Sequence, residues 1–242
     1  GSLTYDGPII MQGSITSPSW TQEFKTNIRL TKGDFKFINP LENKYKIENG
    51  ARIIVDTGNV VVGNIYGRKF RVEDKEGRVG IYQIQEHRTS ISALQGKIIA
   101  ENIVNTVSLD ADTIIVLNVE EDTILSAREI LFYGSKLTFD CLIKLKSNGT
   151  IRFFETFSIQ GLSGDTIIEL ENGKKIRLFD LKTKKIKDLA DEFVPHKENY
   201  NKDATMVGNG FTITYNMLDN LSKKPTKKPE SNWKSKFKFS KD

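Results

Sequence analysis

Leu137-Thr-Phe139-Asp-Cys141-Leu-Ile143-Lys-Leu145, followed by Ser147-Asn148-Gly149 and then Ile151-Arg-Phe153-Phe-Glu155-Thr-Phe157-Ser-Ile159, decides how the chain is expected to fold. Apolar residues hold the odd positions of both arms, and polar residues fill most of the even ones. A period of two gives a strand one apolar face. A two-residue Asn148-Gly149 loop would set Leu145 against Arg152 and turn one strand over. A three-residue Ser147-Asn148-Gly149 loop instead predicts an antiparallel hairpin that pairs Leu145 with Ile151, Ile143 with Phe153 and Phe139 with Phe157. Gly149, without a Cβ, is expected in the left-handed position of that loop. The same register sets Glu155 opposite Cys141 on the apolar face. Glu155 is therefore a candidate perturbed acid, its pKa raised by desolvation. The competing assignment, which carries more weight, is a solvated or Lys/Arg-paired carboxylate at a sheet edge.

Outward from this stretch the pattern stays β-like. From Ile28 to Ile84 short apolar runs alternate with turn signals at Lys32-Gly33, Glu48-Asn49-Gly50, Thr57-Gly58-Asn59 and Asp74–Gly77, which predicts a meander. Glu48-Asn49-Gly50 and Glu171-Asn172-Gly173 are expected to be three-residue turns that keep Tyr45 with Ile53 and Ile168 with Ile176. The spacing of these turns has no fixed period, so the repetition does not establish a solenoid. Ile91–Val119 is a second β-rich run, in which Asp110-Ala-Asp112 is expected to be a solvated turn, not a cation loop. Ser126-Ala-Arg-Glu129 has the spacing of a capping box and predicts a helical turn or two before Gly134, with a strand as a nearly equal alternative over so few residues. Ile186, Leu189, Ala190 and Phe193 recur at helical spacing, so Thr183–Phe193 is the clearest predicted helix, stopped by Pro195. Phe211, Ile213 and Tyr215 suggest a last strand.

These features predict a mainly β protein: an antiparallel sandwich, barrel or β-roll of short strands and hairpins, with one short helix near 183–193 and extended termini. Residues 1–25 are expected to form an extended arm. Residues 26–215 form the body, with a division into two subdomains placed near 85–125, and residues 216–242 form a flexible tail.

Gly161-Leu-Ser-Gly164-Asp165-Thr166-Ile-Ile-Glu-Leu170-Glu-Asn-Gly173-Lys-Lys-Ile176-Arg-Leu178-Phe-Asp-Leu181 resembles the opening block of inteins and hedgehog-type self-splicing domains. In that family the block opens on a nucleophilic Cys or Ser, where this chain has Gly161. A Thr-x-x-His motif and a terminal His-Asn pair are also missing from the sequence, so the resemblance implies no splicing activity here.

The formal charge of +5 is concentrated at one end. Leu221–Asp242 carries eight lysines against Glu230 and Asp242, a net +6 that leaves the remainder at −1. The basic character therefore belongs to the tail and not to a globular face. In that tail Trp233, Phe237 and Phe239 alternate with Lys234, Lys236 and Lys238, a pattern suited to docking in pockets of a partner subunit, to stacking on single-stranded nucleic acid or to an anionic membrane surface. The single cysteine, Cys141, allows no disulfide within the chain and is expected to be a buried structural thiol. His87 and His196 have no second ligand at zinc spacing, and no phosphate loop or nucleophile elbow is present, so no catalytic residue, metal or cofactor is assigned. No apolar run reaches the ~20 residues of a membrane-spanning helix. Gly1-Ser2 resembles the remnant of an expression tag, so the native start and any targeting signal are expected to lie elsewhere, and the expected setting is the cytoplasm or a virion.

A non-enzymatic structural or assembly protein is the leading expectation: one that joins neighbouring subunits through sheet edges and terminal arms, as a virion or phage tail component would. Its partner would be a protein, or the chain itself. The alternatives are a nucleic-acid-associated protein acting through the tail and a carboxylate-based hydrolase on a β scaffold.

Overall fold

Apolar residues from successive stretches of the chain stack directly over one another. Ile28, Ile53, Ile91, Leu109, Leu125, Ile143 and Ile168 are partners in one in-register column, and each is buried. The pairing along this column is parallel throughout, so equivalent positions of successive stretches lie side by side on one face. The computed structural model describes residues 2–11, 15–16, 26–37, 47–48, 50–73, 82–120, 122–133, 141–154, 166–178, 200–201, 205–206 and 211–221, and is mostly β.

The strands are β1 (Ser2–Asp6), β2 (Ile9–Met11), β3 (Ile15–Thr16), β4 (Asn27–Lys32), β5 (Phe35–Phe37), β6 (Ile47–Glu48), β7 (Arg52–Thr57), β8 (Val60–Tyr66), β9 (Arg68–Glu73), β10 (Tyr82–His87), β11 (Thr89–Val104), β12 (Val107–Val119), β13 (Ile124–Phe132), β14 (Leu142–Phe153), β15 (Ile167–Leu170), β16 (Lys175–Arg177), β17 (Tyr200–Asn201), β18 (Thr205–Met206) and β19 (Phe211–Thr214). One short helix, α1 (Tyr215–Asn220), follows.

The chain winds in rungs. Three faces are separate strands in the first two rungs, where β1, β2 and β3 lie parallel on β4, β5 and β6. Later rungs run the faces together: β11 pairs with β7 through its first half and with β8 through its second. Along the first face the order is β1-β4-β7-β11-β12-β13-β14-β15, a parallel stack about 34 Å long at ~4.8 Å per strand.

Bends join the faces. At the first bend the register shifts between Ala93 and Lys97 and between Ala127 and Glu129. Gly58 and Gly96 stack there, and a Cβ on Gly96 would lie 1.9 Å from the Gly58 carbonyl oxygen, so no side chain fits. At the second bend inward-facing positions change parity, from Val62, Ala100 and Val116 to Ile65, Ile103 and Val119. Asparagines bridge that change. Asn102 Nδ2 donates to Asn64 Oδ1 at 2.7 Å and Asn118 Nδ2 donates to Asn102 Oδ1 at 2.9 Å. A stacked row of amides lets each satisfy the next where the ladder turns.

Two antiparallel additions finish the far end. β16 turns back on β15, and β19 lies antiparallel to β14 on the second face, with Ile213 opposite Ile151. Helix α1 packs on β14 and β19 and buries Leu218. Lys174 Nζ donates to the carbonyls of Leu218 and Asp219 at its C-terminal end. The β9–β10 hairpin leaves the stack after Gly67 and returns at Arg88. β17 and β18 form a separate two-stranded pair.

Several sequence-based expectations need correction. The central hairpin does not form: Leu142–Phe153 is one strand, β14, lying parallel to β13, with Leu145 on Ala127 and Thr150 on Glu129. Cys141, Ile143, Leu145, Ile151 and Phe153 share one parity, and a single strand satisfies that pattern as well as a hairpin does. Ser147-Asn148-Gly149 is a bend of the rung, and Asn148, not Gly149, has the positive φ of 57°. The meander is likewise replaced by parallel pairing, and with it the antiparallel sandwich, barrel or roll. Neighbouring rungs pair at offsets of 18 and 16 residues (Thr89 with Val107, Ile98 with Ile114), at 38 (Val60 with Ile98) and at 25 (Asn27 with Arg52), so the stack is a solenoid whose bends hold insertions of different length. Ser126–Glu129 is strand within β13 and not a helix cap. Asp110-Ala-Asp112 lies within β12 and not in a turn. Residues 3–16, expected as lead-in, supply strands of the first rung. Phe211–Thr214 is a strand, but Tyr215 opens α1. The turn at Glu171-Asn172-Gly173 forms as expected: Ile168 faces Ile176, and Gly173 has φ 81°. The helix expected at 183–193, the pairing of Tyr45, and Phe139 and Phe157 lie outside the described residues.

Candidate functional site: the open first rung

The two ends of the stack differ. At the far end the first and second faces end on the antiparallel strands β16 and β19. At the near end β1 pairs only with β4, and no described strand lies on its other edge. Leu3 pairs with Ile28 and Tyr5 with Leu30, so both continue inward-facing columns. Yet Leu3 is 49% and Tyr5 48% exposed, whereas Ile28 is 6% and Leu30 0% exposed one rung further in. Ile10, 64% exposed, adds apolar surface on β2. Two adjoining interior columns thus reach the surface at the end of a sheet whose edge carries no Lys, Arg or Pro within β1. Globular sheets blunt their edges with charges, Pro or bulges; β1 carries Asp6 and a register shift between Tyr5 and Asp6, and leaves Leu3 and Tyr5 as its apolar edge residues.

On the second face Val61, Ile99, Ile115 and Leu131 form an apolar outward row, whereas polar outward residues of the first face and first bend form ion pairs. Arg128 binds Asp112 through two bonds of 3.0 Å. Its hydrogen bond holds the Asp112 carboxyl below the usual carboxylate range, and Asp112 in turn raises the guanidinium. Lys146 Nζ donates to Asp110 Oδ1 at 3.0 Å, Arg29 pairs with Asp56 at 2.9 Å and Lys175 with Glu169 at 3.5 Å. Asp110 and Asp112, expected to be solvated, are thus tied to cations of neighbouring rungs. Ser147 donates a hydrogen bond to the Glu171 carboxylate. A shallow groove of about 530 Å³ crosses the outer surface of the first face, lined by Asn27, Arg52, Arg88, Ser90, Ser108 and Asp110. Arg88 is held there by the carbonyls of Val107, at 3.3 Å, and Asp122, at 2.8 Å.

Cys141 is buried in a row of small residues that precedes the first face, with Thr123 on one side and Thr166 on the other. Burial pushes its thiol up to about 12, which makes it inert. Glu155 and the tail residues Trp233, Lys234, Lys236, Phe237, Lys238 and Phe239 lie outside the described residues, as do Gly161 and His196. Among the described residues no three His, Cys, Asp or Glu side chains gather as a metal site. No described helix is long and apolar enough to cross a membrane. Leu3 and Tyr5 were not singled out by sequence reasoning. Their alternation, Leu3-Thr4-Tyr5, was the available signal, hidden by Gly7-Pro8 and Ser17-Pro18, which read as irregular chain.

Comparison with protein-family models, with curated proteins and with solved structures returned no match.

Proposed function

We propose that the chain is a non-enzymatic structural protein that assembles with neighbouring subunits through its sheet edge, with its terminal segments as further contacts. The observation that carries this reading is the edge of β1, on which no described strand lies and where Leu3 and Tyr5 continue interior columns while half-exposed. The ion pairs along the outward rows leave the acids Asp56, Asp110, Asp112 and Glu169 engaged in holding rungs together, which suits a scaffold. A virion or tail component, in which protein rods join end to end or dock on a body, fits this form.

Sedimentation velocity of the full chain over roughly 1–100 µM tests the proposal; this range brackets the affinity of about −8 kcal/mol that corresponds to a micromolar complex. The chain should sediment above the 27.4 kDa of one copy as concentration rises. A single 27.4 kDa species throughout would refute assembly by the isolated protein. Truncation after Asn220 removes the basic aromatic tail while keeping α1, and weaker association in that variant would assign part of the contact to the tail.

A further inference from the structure

We propose that the groove across the outer surface of the first face binds an acidic sugar, a uronate unit carried on a saccharide; this goes beyond the assembly reading and stands without it. The parallel register builds the floor of the groove. Arg52, Ser90 and Ser108 are direct partners on β7, β11 and β12, and Ser92 and Asp110 are partners two residues further along β11 and β12. Ile91 and Leu109, between them in sequence, are buried in the core, so the alternation turns these five side chains outward. Neighbouring rungs lie ~4.8 Å apart, so the row offers a polar group at each such step. Arg88 flanks the row two residues before Ser90. Its Nη1 donates to the carbonyls of Val107 and Asp122, and its Nη2 donates to the Glu86 carboxylate at 3.4 Å, so its guanidinium is held in place before any ligand arrives.

The chemistry of the lining selects the ligand. Elsewhere on this face outward charges engage one another, as Arg29 does Asp56 and Lys175 does Glu169. In the groove, among the described residues, the Arg52 guanidinium makes no ion pair or hydrogen bond, and the hydroxyls of Ser90, Ser92 and Ser108 have no hydrogen-bond partner. Arg88 is balanced by Glu86 and Asp110 by Lys146, which leaves the single positive charge of Arg52. A guanidinium takes one carboxylate through two parallel bonds. Serine hydroxyls both donate and accept, as the hydroxyls of a sugar ring do. Asp110 only accepts, and lies two rungs and two residues from Arg52, about 12 Å at ~4.8 Å per rung and ~3.3 Å per residue; it favours hydroxyl donors there over a second anion. No aromatic side chain of the described residues lines the groove, and the side chain of Ile91 is buried, so a nucleobase finds no stacking platform. At about 530 Å³ the groove has the size of a small-ligand site.

An NMR titration of the full chain with trigalacturonate tests the proposal, with its methyl ester, acetate, inorganic phosphate and an aspartyl dipeptide as comparisons. The acid should bind with a Kd near about 1 mM, the scale of one ion pair and a few hydroxyl contacts on an open surface. The ester keeps every ring hydroxyl and loses the charge, so it should bind about tenfold more weakly or worse. Arg52→Ala should weaken the acid by about the same factor and change the ester little. The double variant Ser90→Ala, Ser108→Ala should weaken acid and ester alike by several-fold. Lys175→Ala, at the far end of the same face, should bind as the wild type does. The substituted side chains lie outside the core, so far-UV circular dichroism should not move. Ester bound as well as acid, or unchanged binding by R52A, would overturn the assignment to an acidic sugar. Acetate or phosphate bound as tightly as trigalacturonate would make the groove an anion site only, and the dipeptide bound as tightly would assign it to a protein partner; each overturns the sugar. No binding of trigalacturonate at about 10 mM would overturn it as well.

Discussion

Ile98 and Ile99 are identical side chains one residue apart in β11, and the parallel stack assigns them opposite fates. Ile98 is 0% exposed, between Val60 and Ile114 in an interior column; Ile99 is 39% exposed on the outer surface. Ile98→Ala removes three buried carbons, about 2.4 kcal/mol at ~0.8 kcal/mol each. The column cannot close over the gap, because each rung is held by the backbone ladders on either side. The remaining cavity should add about 1 kcal/mol, for a total near 3.5 kcal/mol, within the ~2–5 kcal/mol known for such truncations. Ile99→Ala should cost about 1 kcal/mol or less. With a urea slope near ~3 kcal/mol/M, I98A should lower the unfolding midpoint by roughly 1 M and I99A by about a third of that or less. Equilibrium urea unfolding followed by circular dichroism measures both. Equal shifts, or a larger one for I99A, would place β11 with the wrong face inward and refute the stacked register.

Other consequences follow from single features. Asn102→Ala breaks both bonds of the buried amide row, to Asn64 and from Asn118; a loss of about 1–3 kcal/mol is expected in thermal or urea unfolding, and little change would mean the row is ornamental. Cys141 should resist iodoacetamide in the folded protein at pH 8 and react on unfolding. Because its folded pKa of about 12 lies above the unfolded value, its protonated thiol favours folding fully below that value, and the benefit should fall as pH rises from about 9 towards 12, by at most ~1.4 kcal/mol per pH unit. Cys141→Ala should remove that slope. For Asp112 the sign is opposite: Arg128 lowers its pKa, so the contribution is present above the ordinary carboxylate range and lost on acidification. Asp112 is half-exposed, so Asp112→Asn should leave the urea midpoint at neutral pH nearly unchanged. Excision of Arg68–His87 should leave a folded solenoid by circular dichroism, because it shortens the offset of 38 residues between β8 and β11 to the 18 residues that join Thr89 to Val107. Thr89 Oγ1 already donates to the Tyr66 carbonyl at 2.6 Å across the base of the hairpin.

What could be read from the sequence was local. Glu171-Asn172-Gly173 was legible because a left-handed glycine and two flanking apolar residues settle a hairpin without reference to the rest of the chain. The alternation of Cys141 to Phe153 correctly gave the buried side. It could not give the partner, because parity says which way a side chain points and not whether the neighbouring strand is parallel. The signal for stacking is the recurrence of Ile91-Ser-Ala93, Leu109-Asp-Ala111 and Leu125-Ser-Ala127, each followed by an Ile-Ile or Ile-Leu pair at Ile98, Ile114 and Ile130. Offsets of 18, 16 and 21 residues, with the β9–β10 insertion, spoil any search for a constant period. The first rung was missed for the same reason: Leu3 and Tyr5 look like stray apolar residues until Ile28 and Leu30 are laid beside them.

Parallel pairing gives the stack a direction. Each rung is templated by the one before it, so the chain behaves as a one-dimensional polymer of its own segments, with stability passed between nearest neighbours. β16 and β19 act as chain terminators, because a reversed strand offers the next turn no parallel template.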